Sequence, residues 1–107
     1  MTVSRGDWQK FQDEQGKWAE VQFDGQTCEE KLRHLQKEIG EILEDPCDVY
    51  EYADAASLLF DAARKQGIST EKILRAAWDK LETNKTRQWR KNADGTFSGS
   101  HKEENKK

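Results

Sequence analysis

Residues 37–54 read KEIGEILEDPCDVYEYAD, and four of their seven carboxylates, Glu38, Glu41, Glu51 and Asp54, form two pairs spaced by three. Side chains three apart on a helix are surface neighbours, about 5–6 Å between Cβ atoms. Asp45-Pro46 lies between the pairs and interrupts any helix, because the residue before proline is pushed out of the α region. A link this short folds two helices into an antiparallel hairpin, with Glu41 about one turn before the bend and Glu51 about one turn after it. The pairs then face each other, and four facing carboxylates in a partly buried groove repel by several kcal/mol at an intermediate dielectric. From Glu38 to Asp61 there are eight acidic residues and no Lys or Arg to relieve this. Relief comes from protons or from a bound cation. Ligands made only of oxygen suit Mg²⁺, Mn²⁺ or Ca²⁺ and not Zn²⁺. An EF-hand is excluded, since its loop needs closely alternating oxygens around a central Gly.

The basic counterpart lies downstream. Residues 62–92 carry nine Lys or Arg against three acids, and Lys80, Asn84 and Arg87 follow at i, i+4 and i+7. These are donors of the kind that grip phosphate oxygens. Mg²⁺ held by one or two carboxylates usually works on a phosphate-bearing substrate. His34 shares a stripe with Glu38, Glu41 and Asp45, and fits a hydrogen-bonding residue at the groove edge better than a metal ligand. Trp18 and Phe23, beside a Gly turn, offer flat surfaces for a nucleobase, while the four tryptophans as a set are expected mainly in the core.

Four helices position these groups. The first spans roughly Asp7 to Gln22, with Trp8, Phe11, Trp18 and Val21 recurring on one side. Thr27-Cys28-Glu29-Glu30 is a capping box that opens the second, whose apolar stripe is Leu32, Leu35, Ile39 and Ile42. Asp48 starts the third with Glu51 as its capping-box partner, and the small apolar run at 54–63 reads as a buried bundle helix ending near Gly67. Ser69 or Thr70 caps the fourth, which carries Ile73, Leu74, Ala77, Trp78 and Leu81. The expected class is all-α, a four-helix-type bundle over residues 1–91, followed by a flexible polar tail over 92–107.

At 107 residues, 34% apolar and 36% charged, the chain has little core for its surface, and packing against copies of itself is expected. No stretch approaches the roughly 20 apolar residues of a membrane span, and the opening MTVSRGDWQKFQDEQ has no apolar region of a signal peptide. Cys28 and Cys47 lack metal-ligand spacing and read as reduced thiols in a cytoplasmic protein.

The order ExxE, short link, ExxD, then Lys-xxx-Asn-xx-Arg resembles the MazG-like all-α nucleoside triphosphate pyrophosphohydrolases, and within them the phage and bacterial dATP/dGTP diphosphohydrolases. The resembling text is FQDEQGKWAEVQF, EEKLRHLQKEIGEI, DVYEYADAASLLFDAARKQGIS and KLETNKTRQW, over roughly residues 8–90. Arg90 stands where that branch usually has Pro. The resemblance implies Glu38, Glu41, Glu51 and Asp54 as magnesium ligands, with Glu38 or Glu41 also orienting or deprotonating water. It implies Lys80, Asn84 and Arg87 at the triphosphate, and Gln15 and Trp18 toward the nucleoside; His34, from its place at the groove edge, is expected among the substrate-binding residues. It further implies Mg²⁺, with Mn²⁺ as substitute, a nucleoside triphosphate substrate, and a homodimer or homotetramer in the cytoplasm (the host's, if phage-encoded). A nucleic-acid polymer or membrane is no expected partner. The competing expectation is a non-catalytic helical interaction protein with an acidic groove.

Overall fold

The computed structural model describes residues 5–100. Four helices follow one another, α1 (Arg5–Gln22), α2 (Cys28–Glu44), α3 (Val49–Lys65) and α4 (Thr70–Thr86). A two-stranded antiparallel hairpin, β1 (Trp89–Lys91) and β2 (Phe97–Gly99), closes the described chain. Two compact units are formed, Met1–Ile73 and Leu74–Lys107. No helix among the described residues is long and apolar enough to cross a membrane.

In the first unit polar side chains hold the helices together where an apolar core would be expected. Among the described residues only Ala19 and Ala62 are buried hydrophobic ones, whereas Gln12, Lys31, Asp61 and Thr70 are buried polar ones. Gln12 of α1 donates from Nε2 to the carbonyls of Phe60 (2.9 Å) and Ile68 (3.1 Å). Its Oε1 accepts from the backbone N–H of Thr70 at 3.1 Å and from Gln9 at 2.8 Å. Trp8 packs edge-to-face on Phe60 at 5.4 Å. Gln12→Leu would strand the Thr70 N–H and take a donor from the carbonyls of Phe60 and Ile68, of which that of Phe60 keeps its helical partner. Buried groups left unpaired cost about 1–3 kcal/mol each, so a loss of about 3 kcal/mol is expected in urea melts; a change under about 1 kcal/mol would refute this role.

Three expectations are corrected. Trp8, Trp18, Trp78 and Trp89 are 40–62% exposed, not core. Helix α3 is not buried along 54–63: only Asp61 and Ala62 are, while Leu59 is exposed. Both follow from the small amount of apolar surface one chain can cover. The polar tail expected from residue 92 begins instead as a hairpin. Asn92 N–H bonds the Thr96 carbonyl, Asp94 accepts from the Thr96 N–H and hydroxyl, and Gly95 takes a positive φ of 91°. The Asp-Gly turn was the available signal; strands of three residues are too short to show alternation. Residues 101–107 lie outside the described residues.

Candidate metal centre

The hairpin of α2 and α3 is built as its sequence dictates. The Thr27 hydroxyl accepts from the Glu30 N–H at 3.1 Å, and the Glu30 carboxylate accepts from the Thr27 N–H at 2.9 Å, so the capping box is complete. Asp48 caps α3 by accepting from the Tyr50 N–H at 2.9 Å. The Tyr52 hydroxyl reaches back to the Pro46 carbonyl at 2.9 Å and ties the bend to α3. Glu51 does not complete a capping box with Asp48; its carboxylate turns toward α2.

That turn assembles the site. One carboxylate oxygen from each of Glu38, Glu41 and Glu51 lies within 4.8 Å of the other two. Glu38 and Glu51 are half-buried and Glu41 is exposed. Asp54 is exposed and stands outside this trio. Oε2 of Glu51 is buried without a hydrogen-bond partner. Burial, then the charges of Glu41 and Glu38, then a hydrogen bond with Glu38 push the Glu51 carboxyl above the ordinary range. A carboxyl raised in the folded state stabilises the fold below its unfolded pKa, and that contribution is lost as pH rises through the folded value. The metal-free protein should therefore lose stability as pH climbs through the raised range of Glu51. Glu20, held low by bonds from Arg64 and Lys65, acts in the opposite sense. The effect is thus read as wild type minus Glu51→Gln, in melts with EDTA from about pH 4 to 8. Superimposable curves would contradict it.

The other expected site residues are placed as follows. His34 Nε2 lies 3.3 Å from Glu38 Oε1, with the His side chain half exposed, so it sits at the rim of the trio. Gln15 of α1 is half-buried and its Oε1 has no hydrogen-bond partner. Trp18 packs edge-to-face on Phe23 at 5.2 Å. Lys80, Asn84 and Arg87 belong to the second unit. There Arg87 donates to the Asn84 side chain at 3.0 Å and to the Ser100 carbonyl, and its guanidinium lies 5.0 Å from the Trp89 ring centroid. The sequence reading missed Lys31 and Asp61, a buried pair 2.7 Å apart.

Three oxygen donors, no soft ligand among them, and a buried oxygen lacking a partner fit a hard divalent cation such as Mg²⁺ or Mn²⁺. The dATP/dGTP pyrophosphohydrolase family profile matches residues 11–106. The chain belongs to that family. Among curated relatives, the Eaa protein of Salmonella phage P22 is 57% identical over 51 residues, 48% of this chain and 16% of that protein. The dATP/dGTP diphosphohydrolase of Salmonella phage PMBT28 is 36% identical over 80 residues, 74% of this chain and 27% of that protein. This dATP/dGTP pyrophosphohydrolase family member thus spans only about a sixth and a quarter of those two proteins. A solved structure, a Cyanophage S-2L MazG-like pyrophosphohydrolase bound to dGDP and three catalytic Mn²⁺ ions per active site, has a TM-score of 0.72 and 25% identity. It covers 85% of this chain and 94% of its own, so the MazG-like helical fold is shared.

Proposed function

We propose that this chain hydrolyses deoxynucleoside triphosphates, dATP and dGTP foremost, to the monophosphate and pyrophosphate. The observation that carries this is the trio Glu38, Glu41 and Glu51, with oxygens within 4.8 Å of one another, in a chain of this family. Purine preference rests on the phage relative named for dATP and dGTP and on the neighbour that holds dGDP. Glu38, Glu41 and Glu51 would hold Mg²⁺, or Mn²⁺ in its place, with Asp54 one turn further along α3. Bound there, the cation neutralises developing phosphate charge and lowers the pKa of water. Glu38 or Glu41 orients the attacking water and accepts its proton. The water oxygen bonds to the α-phosphorus as the bond to the β-phosphate oxygen breaks. Lys80, Asn84 and Arg87 would donate to the triphosphate, Gln15 and Trp18 would serve the nucleoside side, and His34 would meet the substrate at the groove edge beside Glu38. The test is turnover of the eight common NTPs and dNTPs with Mg²⁺ or Mn²⁺. Preference for dATP and dGTP is expected, and no metal-dependent turnover of any would overturn the proposal.

The working form is proposed to be a homodimer or homotetramer in the cytoplasm, the host's if the gene is a phage's. Support comes from the apolar side chains a single chain leaves exposed, among them Leu43 (79%), Val49 (69%) and Tyr50 (77%) around the hairpin bend. Such a surface marks an interaction site. Light scattering should give a multiple of the chain mass, and a monomer at micromolar concentration would contradict this.

A further inference from the structure

We infer that the Lys31–Asp61 ion pair is the clasp that positions the metal centre, fixing α2 on α3 in the register that sets Glu38 and Glu41 opposite Glu51. The inference rests on the proposed divalent-metal site. Lys31 Nζ lies 2.7 Å from Asp61 Oδ2, and the side chains are only 3% and 4% exposed. Lys31 is the one buried residue of α2, and Asp61 and Ala62 are those of α3. The apolar stripe of α2 does not compete for this role, because Leu32 is 40% and Ile39 48% exposed and Leu35 and Ile42 are only half-buried. Half-covered apolar contacts carry little directional preference, so they tolerate sliding. A buried ion pair does not. A shift of one helical turn, about 5.4 Å, would leave two dry charges unpaired, and breaking a buried pair is strongly unfavourable.

The surroundings meet the condition under which such a pair holds, that its remaining hydrogen-bonding capacity be filled. Lys31 also donates to Gln26 at 3.0 Å. Asp61 also accepts from Arg64 Nε at 2.7 Å, and Arg64 reaches Glu20 of α1 at 2.8 Å. Three helices therefore meet at the clasp. It shares a seam with the carboxylates, since Lys31 precedes Glu38 by seven residues, two turns or about 10.5 Å along α2. At the far end of that seam like charges push the helices apart, and the clasp opposes them.

The test is calorimetric titration of the nucleotide-free 107-residue chain with Mn²⁺, beside its melting temperature in EDTA. Replacing a buried pair by apolar residues of similar size is often neutral for stability, and Arg64 keeps Glu20 when Asp61 is lost. Lys31→Met/Asp61→Leu should therefore melt near wild type yet bind Mn²⁺ about tenfold more weakly, the low end of what direct outer partners of ligands command, since the clasp acts through register and not by touching a ligand. Lys31→Arg should bind within a few-fold of wild type. If the double variant does not fold, Lys31→Gln/Asp61→Asn decides, because it keeps both shapes and leaves no lone buried charge. Wild-type Mn²⁺ affinity in a folded variant that has lost both charges overturns the clasp alone. A wild-type chain that binds no Mn²⁺ overturns both the clasp and the metal-dependent function beneath it.

Discussion

Glu38→Gln is expected to lower kcat for dATP by about 10³-fold, within the range that positioned acid–base groups command, without loss of the fold. The substitution keeps the shape of a half-buried side chain while removing one of three charges held within 4.8 Å. Glu38 contributes both charge repulsion and a hydrogen bond to the raised Glu51 carboxyl, so Glu51 should titrate closer to the ordinary range in this variant. Metal-free Glu38→Gln should melt at or above the wild-type temperature because repulsion across the hairpin is relieved. Activity within tenfold of wild type would remove Glu38 from the proton step and from the metal. A lower metal-free melting temperature would show that the trio is not under repulsive strain.

Metal addition should give the largest change in stability. A ligand that binds only the native state stabilises it by about 2.7 kcal/mol at a hundred times its Kd. For a domain of about this size that corresponds to a rise on the order of ten degrees. Mn²⁺ should produce such a rise in the wild type and chelation should reverse it together with turnover. Glu51→Gln should show a much smaller rise, since it removes a ligand whose buried oxygen has no other partner. A rise matched by NaCl at equal ionic strength would mean that the acidic face is only screened. That result would favour the competing expectation of an acidic interaction groove.

Local rules made much of the hairpin legible. Thr27 and Glu30 cap each other as their spacing requires, and Asp45-Pro46 ends α2 where it must. The three-residue spacings placed Glu38, Glu41 and Glu51 together because the short link leaves few ways to fold back. Asp54 stands outside the trio, and its spacing from Glu51 does not explain this, since the same three-residue spacing separates Glu38 from Glu41, which both belong to it. Lys31 and Asp61 were illegible because a charge within an apolar stripe ordinarily reads as solvated. Its partner lies thirty residues away, and only tertiary packing brings the two together. Gln12 escaped notice for the same reason, since the carbonyls of Phe60 and Ile68 have no sequence signature.

The most direct measurement is hydrolysis of dGTP with Mn²⁺ in ¹⁸O-enriched water, with products separated and weighed by mass spectrometry. Attack at the α-phosphorus, assisted by the Glu38, Glu41 and Glu51 centre, predicts dGMP carrying one ¹⁸O and unlabelled pyrophosphate. Orthophosphate release, label in pyrophosphate, or the same products from the Glu38→Gln variant at the wild-type rate would contradict it.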